Sequence, residues 1–161
     1  MTANAKSMEN LQTALSMELS AVHQYLLHAH ILEDWGLDAL AAKMREEMQE
    51  ELGHASVFMD RILFLGGDPK VEPAKAASRS TSLKAMFEAD LEDERSAVLF
   101  YSDAAAEALT ENDVGSRALF ERIAIDEEGH MDWLQTQLDL IERIGEPAYV
   151  ARHMSVTAEG P

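Results

Sequence analysis

The chain has 161 residues, of which 13 are Lys or Arg and 30 are Asp or Glu, so its formal net charge is −17. This length suits a single domain with a substantial core, and the absence of Cys excludes a disulfide scaffold, an iron–sulfur cluster and a cysteine nucleophile. The negative charge argues against nucleic acid as a partner, and the lack of a signal peptide or a membrane-length apolar run favours a cytoplasmic protein with no membrane partner.

Helix is predicted along most of the chain, because Ala, Leu, Glu, Met and Gln are abundant whereas Pro and Gly are scarce. Breaks occur at Trp35-Gly36, in the polar stretch that starts at Gly66, at the turn over residues 110–113 and at Gly145. The predicted helices span approximately residues 6–34, 38–65, 83–110, 114–144 and 148–153.

The connections between these helices predict their arrangement. Two of the links between the four long helices are short and the middle one is long, as expected when it runs the length of a bundle. The chain shows no period-2 alternation typical of a strand. We therefore predict an all-α fold, a four-helix bundle with one long crossover connection and a short C-terminal fifth helix, as one domain over residues 1–161.

Each long helix carries an apolar seam that only Glu, His and Tyr interrupt. In the first helix, for example, alternating spacings of four and three residues place Leu11, Leu15 and Glu18 on one face. No seam position holds a Lys or Arg that could pair with the acids. The polar members of the four seams are Glu18, Tyr25, Glu47, Glu51, His54, Glu94, Tyr101, Glu127 and His130.

The seams reveal an internal repeat. Residues 18–25 match residues 94–101, and the Glu-x-x-His motif that begins at Glu51 recurs at Glu127, both with an offset of 76 residues. The chain therefore consists of two related helix pairs. Each pair presents one lone Glu and one Glu-x-x-His toward a shared centre.

Four carboxylates buried together without cations would cost several kcal/mol each, or would stay protonated. Two divalent metal ions would balance the four negative charges, and His54 and His130 would add one imidazole per metal. These ligands suit iron or manganese, and they also accept zinc. The alternative is a buried, protonated network of Glu and His that a gene duplication left behind.

Other residues near this centre have more than one interpretation. Tyr25 and Tyr101 either hydrogen-bond a ligating carboxylate, or donate an electron, or simply pack in the seam. Glu47 and Glu50 either lead iron toward the site or away from it, or belong to an ordinary acidic helix face. Trp133 is predicted to pack in the core. We also expect no cavity for an organic substrate, because the seams are crowded with Leu, Val and Phe. The remaining histidines lack matched partners and are predicted to lie at the surface or in an interface: His23, His28, His30 and His153.

Several strings are more specific than generic helix: Gln24-Tyr25, Asp-Trp-Gly-Leu at 34–37, Arg-Ile-Leu-Phe-Leu at 61–65, and residues 126–134 around the second Glu-x-x-His. Through them nearly the whole chain resembles the bacterioferritins, which are ferritin-like di-iron proteins. The resemblance implies a ferritin-like bundle in a hollow shell of 24 subunits that stores ferric mineral. It also implies a ferroxidase that oxidises Fe(II) with O₂ or peroxide, in the service of iron storage, detoxification and homeostasis.

The resemblance further implies two iron ions per subunit as cofactors. It makes the same six residues both metal-binding and catalytic. The ligands that it implies are Glu18 and His54 for one ion, Glu94 and His130 for the other, and Glu51 and Glu127 as bridges.

One position departs from the family pattern. Bacterioferritins bind haem between two subunits through a Met that follows the Glu of the first Glu-x-x-His, but this chain has Leu52 there. Leu offers no thioether sulfur, and Met48 and Met59 lie on neighbouring turns, so we expect no haem. A shell that includes a second, haem-binding subunit type is an alternative to a homo-oligomer, and a ferredoxin-type protein is a candidate reductant for iron release.

Two other functions fit the same ligands. Oxidases and peroxidases of the ferritin-like superfamily use a di-iron or di-manganese centre on other substrates. A metal-stabilised bundle without activity would act as an interaction module. A particle of hundreds of kDa on size-exclusion chromatography would indicate the shell, whereas a dimer would indicate either alternative.

Overall fold

The computed structural model describes residues 5–155, and the regular elements among them are all helices. The predicted all-α class is confirmed, and the ends of the predicted domain, residues 1–4 and 156–161, lie outside the described residues. The last helix begins at Glu146, earlier than predicted, because Pro147 is tolerated in the first turn of a helix. None of the described helices is long and apolar enough to cross a bilayer. The helices are α1 (Ala5–Asp34), α2 (Asp38–Phe64), α3 (Leu83–Thr110), α4 (Val114–Ile144) and α5 (Glu146–His153).

The four long helices form a bundle of two antiparallel pairs. α1 packs along α2, α3 packs along α4, and the two pairs meet through α1 and α3 and through α2 and α4. Asn10 near the start of α1 donates a hydrogen bond to Glu107 near the end of α3, so these two helices are also antiparallel. The predicted four-helix bundle is therefore confirmed.

The crossover between α2 and α3 runs along α1 in the direction of that helix. The Gln12 side chain donates to the carbonyl of Asp68 at 2.8 Å, and the Gln24 side chain donates to the carbonyl of Ser78 at 2.9 Å. Between these points, Ser20 Oγ accepts from the backbone N–H of the crossover. The long connection is thus attached to α1 by side chains that recur every four or eight residues, as a single helix face requires.

Two apolar clusters fill the bundle, one toward each end. The first includes Leu15, Phe58 and Phe120, and the second includes Met44 and Phe87, all of them fully buried. Burial stabilises each such side chain by about 1.5–3 kcal/mol. The acids and histidines of the four seams lie between these clusters along every helix, so apolar packing on both sides fixes the height of each carboxylate.

The residues after α4 cap other helices. The Glu146 carboxylate accepts from the backbone N–H of Leu83 at the start of α3, at 2.9 Å. Ser155 Oγ accepts from the backbone N–H of Asp38 at the start of α2, at 3.1 Å, where Leu37 offers no side-chain cap. The first N–H groups of a helix have no partner within the helix. The sequence did not predict these two caps, because the paired residues are 63 and 117 positions apart.

The start of α4 depends on Asp113, the last residue of the turn over residues 110–113 and the N-cap of this helix. Its carboxylate accepts from the backbone N–H of Ser116 at 3.1 Å and pairs with the Arg61 guanidinium of α2 at 2.5 Å. Burial would raise the pKa of Asp113, but the bonds from Ser116 and Arg61 outweigh it and lower the pKa. Asp113 therefore joins the start of α4 to the end of α2.

We expect Asp113→Ala to lower the free energy of unfolding at pH 7 by about 1–2 kcal/mol, the usual cost of a lost N-cap. The wild-type advantage is present above the unfolded-state pKa of about 3.9, and it is lost as the pH falls through the lowered folded-state pKa. Urea denaturation across this pH range measures both effects. The matched control is Asp103→Ala on an exposed face of α3, which should change the free energy by less than about 0.5 kcal/mol. Equal effects of the two substitutions would contradict the role of Asp113.

Candidate metal centre

Four glutamates and two histidines meet between the two apolar clusters. α1 and α3 each supply one Glu, and α2 and α4 each supply one Glu-x-x-His, because these residues occupy one face of each helix. None of the six residues is more than 8% exposed. They are Glu18, Glu51, His54, Glu94, Glu127 and His130.

Their side-chain oxygens and nitrogens form two overlapping groups, and within each group one ligand atom per residue lies within 4.8 Å of all the others. The two groups share Glu51 and Glu127, so these two carboxylates lie between the positions that two cations would take. The first group is Glu18, Glu51, His54 and Glu127, and the second is Glu51, Glu94, Glu127 and His130.

Both histidines direct Nδ1 into this centre. His54 Nδ1 lies 3.2 Å from Glu51 and 3.1 Å from Glu127, and His130 Nδ1 lies 3.0 Å from each of the same two residues. The imidazole rings are 6.4 Å apart and inclined by 22°. The repeat therefore produces two nearly equivalent nitrogen ligands that face a common pair of carboxylates.

The opposite nitrogens, Nε2, face acids at the edge of the bundle. His54 Nε2 bonds Asp126 at 3.2 Å, and His130 Nε2 bonds Glu50 at 2.8 Å. Asp126 and Glu50 are themselves related by the offset of 76 residues. Of these two acids, the sequence predicted only Glu50 near the centre, although the repeat makes Asp126 its equivalent.

The hydroxyl groups of Tyr25 and Tyr101 each bond a residue in the other half of the repeat. The Tyr25 hydroxyl donates to Glu94 of α3, and the Tyr101 hydroxyl donates to Glu18 of α1. Burial and the neighbouring carboxylates raise the pKa of both phenols, so both keep the proton that they donate. Each lone Glu is thus fixed by a tyrosine from the other helix pair, which the spacing along a single helix could not show.

Charges within the centre influence one another strongly. Burial and neighbouring carboxylates raise the pKa of Glu51 and of Glu94, although the histidines oppose this. Burial would lower the pKa of His54 and of His130, but hydrogen bonds to the glutamates outweigh it and raise both. Burial would likewise raise the pKa of Glu127, but the two histidines lower it. When no metal is bound, the protonated imidazoles therefore supply the positive charge that seams without Lys or Arg would otherwise lack.

The donor set fits two divalent cations. Among the described residues, several buried atoms of the centre have no aligned hydrogen-bond partner, namely Glu51 Oε1, Glu127 Oε2 and His130 Nδ1. His130 Nδ1 lies 3.0 Å from both of these oxygens, but the contacts are not aligned as hydrogen bonds, whereas buried polar atoms are nearly always hydrogen-bonded. A cation between the three atoms would satisfy all of them. Carboxylate oxygens with one imidazole per metal suit iron and manganese, and binding would displace protons from the histidines.

Glu47 and Glu50 both lie against His130. With His130 Nε2 their oxygens form a third group within 4.8 Å. Glu47 is buried, and its Oε1 lies 2.5 Å from Lys43 Nζ. Burial would raise the pKa of Glu47, but His130 and Lys43 lower it. The seams themselves contain no Lys or Arg, as predicted, yet Lys43 reaches a seam acid from one turn away.

The prediction for His28 was wrong. His28 is buried between α1 and α3, where its Nδ1 lies 3.0 Å from Asp90 and its Nε2 contacts the Gln24 amide. Its partner is on another helix, so the pattern along α1 does not reveal it. His23 and His30 are exposed as expected, His153 stacks on Tyr149, and Trp133 packs edge-on against Phe87.

The expectation of no cavity was also wrong. A cavity of about 340 Å³ lies between α1 and α3 beneath the crossover, and all four central glutamates line it. The small side chains Ala21 and Ala97, which are equivalent in the repeat, contribute to its wall and leave this space. Lys75 of the crossover pairs with Asp93 of α3 at 2.5 Å among the lining residues.

Comparison with known proteins agrees with this architecture. The profile of the ferritin-like domain matches residues 8–144. The bacterioferritin of Brucella melitensis is 41% identical over 149 residues, which is 92% of each chain, and that of Rhodobacter capsulatus is 40% identical over 145 residues, which is 90% of each.

Solved structures give the same result. The Rhodobacter capsulatus bacterioferritin, described with a metal-free dinuclear site and a haem iron, superposes with a TM-score of 0.94 at 36% identity over the full length of both chains. Mycobacterium tuberculosis bacterioferritin BfrA gives a TM-score of 0.92 at 35% identity, covering 96% of this chain and 98% of its own. On its sequence, its bundle and the arrangement of its buried acids, the chain belongs to the bacterioferritins, within the ferritin-like domain family.

Proposed function

We propose that this chain is an iron-storage subunit with ferroxidase activity, which oxidises Fe(II) with O₂ or peroxide at a di-iron centre inside each subunit. The observation that carries the proposal is the pair of overlapping ligand groups that share Glu51 and Glu127. Four buried carboxylates require positive charge, and two divalent ions supply it. The buried atoms of Glu51, Glu127 and His130 that face one another without aligned hydrogen bonds support the same conclusion.

Each residue has a definite task in this proposal. Two residues bind each ion, two carboxylates bind both, and the tyrosine hydroxyls hold the lone glutamates in place. When iron binds, the histidines release protons, because only the neutral imidazole is a ligand. The ligands are Glu18 and His54 for one ion, Glu94 and His130 for the other, and Glu51 and Glu127 for both.

Two Fe(II) ions lose one electron each, and with two protons these electrons reduce O₂ to H₂O₂, or H₂O₂ to two water molecules. The protein contributes the separation of the two metal positions and a route to them. The cavity beneath the crossover reaches the carboxylates from the side opposite the histidines' outer partners, so it offers the oxidant a path.

We propose assembly into a shell of 24 subunits that encloses ferric mineral. Large exposed apolar side chains on the single subunit, two of them adjacent at Leu63 and Phe64, support this, because grouped apolar surface is typical of contacts between proteins. Homo-oligomeric and mixed shells are both compatible with this surface. The residues concerned include Leu63, Phe64, Leu99, Val114 and Ile125.

A second candidate function rests on the cavity. Its volume of about 340 Å³ next to the four glutamates would admit a small substrate, as in the di-iron or di-manganese oxidases and peroxidases of this superfamily. Size-exclusion chromatography separates the two proposals. A large particle that accumulates ferric iron supports storage, whereas a dimer that turns over a small substrate without mineral supports the alternative.

The first test removes a ligand. We expect Glu94→Ala or Glu18→Ala to abolish the fast phase of Fe(II) oxidation, because each leaves one metal position without its terminal carboxylate. Stopped-flow absorbance after anaerobic Fe(II) loading and exposure to air measures this phase. Glu128→Ala is the matched control, since Glu128 is an exposed neighbour of Glu127. A fast phase that survives both ligand substitutions would refute the proposed site.

The second test removes a tyrosine hydroxyl. We expect Tyr101→Phe to weaken metal binding about tenfold, because Glu18 loses the bond that orients it, and Tyr25→Phe to act similarly through Glu94. The Fe(II) concentration that half-saturates the fast phase measures this effect. Tyr149→Phe is the control, because its hydroxyl bonds Gln137 away from the centre. Equal behaviour of all three variants would contradict the orienting role.

The third test concerns haem. Leu52 lies on the surface of α2, 43% exposed on the single subunit, and it offers no sulfur ligand. We expect the wild-type shell to bind no haem and Leu52→Met to bind haem between two subunits through the new thioethers. The Soret absorbance after haem reconstitution and gel filtration measures this gain. Equal haem content in both proteins would contradict the assignment of position 52.

A further inference from the structure

The duplicated halves of the centre differ beside their histidines. Glu47 of α2 corresponds in the repeat to Ile123 of α4, and Lys43 corresponds to Leu119. Ile123 is fully buried in the apolar cluster with Phe58, so its half has no charge at this position. The two metal positions therefore have different surroundings, although their ligands are equivalent.

Glu47 brings a buried negative charge to His130. Its Oε2 lies 2.8 Å from His130 Nε2, and its side chain is only 4% exposed. Glu50, about half exposed, accepts the hydrogen bond from the same nitrogen, also at 2.8 Å. The Nε2–H of His130 thus points at Glu50, and a carboxylate oxygen of Glu47 lies equally close to the same nitrogen.

Lys43 holds Glu47 in this place. Its Nζ lies 2.5 Å from Glu47 Oε1 and 5.5 Å from the centre of the Trp133 ring, which it overlies. An ammonium over an indole face is electrostatically attracted to it. Trp133 packs edge-on against Phe87, so the lysine is fixed between a packed ring and a carboxylate. This pairing allows Glu47 to remain ionised while buried.

His54 has a weaker outer partner. Its Nε2 bonds Asp126 at 3.2 Å, and the Asp126 side chain is 47% exposed. Glu50, the equivalent acceptor on His130, is exposed to the same degree but lies closer, at 2.8 Å. Within residues 5–155, only His130 of the two histidines also has a buried acid, Glu47, beside its outer nitrogen, and water screens a buried carboxylate less than an exposed one. The place of a second acid is taken by Ile123. The imidazole of His54 is therefore less strongly polarised than that of His130.

An acceptor on the outer nitrogen of a metal-binding histidine fixes the ring and makes the inner nitrogen a better ligand, and its loss costs about 10- to 100-fold in metal affinity. We propose that the two metal positions are unequal, that the one at Glu94 and His130 binds a divalent cation more tightly, and that Lys43 and Glu47 are the positioning residues responsible. This inference rests on the ligand set of the proposed function.

Co(II) binding to the assembled protein under anaerobic conditions tests the inference without relying on activity. Visible absorbance and calorimetry should show two Co(II) per subunit in two steps whose affinities differ about tenfold or more. Glu94→Ala should remove the tighter step, and Glu18→Ala should remove the weaker one. These two variants assign each step to a position.

Substitutions of the outer partners then identify the cause. Glu47→Gln should weaken the tighter step about tenfold and leave the weaker step unchanged, whereas Asp126→Asn should affect only the weaker step. Lys43→Arg should preserve the separation of the steps, and Lys43→Met should reduce it. Circular dichroism and particle size, unchanged in each variant, separate these effects from misfolding.

Three results would overturn the inference: two equal steps in the wild-type protein, equal weakening of both steps by Glu47→Gln, or a third Co(II) per subunit that disappears with Glu47, which would make this residue a ligand. Failure of the proposed function would look different. In that case the wild-type protein would bind no Co(II) that depends on Glu18 or Glu94.

Discussion

Mutual repulsion among four buried carboxylates is the constraint to which the rest of this structure responds. Glu18, Glu51, Glu94 and Glu127 are held between two apolar clusters, where their burial leaves little water to stabilise their charge. Two histidines lie close enough to carry compensating protons, and two tyrosines donate to the lone glutamates. If metal ions bound instead and balanced the carboxylate charge, the histidines would release their protons and the tyrosines would keep the lone glutamates in position.

The internal repeat explains both the symmetry and the asymmetry of the centre. The ligands, the tyrosines and the outer acids Glu50 and Asp126 all recur at an offset of 76 residues. Glu47 and Lys43 do not, because apolar residues replace them in the second half. A duplicated bundle can thus keep two equivalent sets of candidate ligands while the surroundings of the two sets differ.

The sequence predicted the fold and the convergence of the central six residues, because both depend on periodicity within single helices. In each half of the repeat the two acids are 33 residues apart, and they can meet only if their helices pack at matched heights. Contacts between helices were harder to predict. The His28–Asp90 pair, the cap from Ser155 to α2 and the cavity beside Ala21 and Ala97 depend on which faces meet, and no spacing within one helix encodes that.

By itself, the sequence determined the bounds of the four long helices to within about one residue, because Gly, Pro and polar turns interrupt them. It also determined the duplication, and the 3.6-residue period of a helix determined the seams and the residues on them that converge. The tertiary structure alone decided which tyrosine holds which glutamate, where the histidines' outer nitrogens point and how Lys43 reaches Glu47. These features depend on distances of about 3 Å between side chains of different helices. Only the packing of the helices sets such distances.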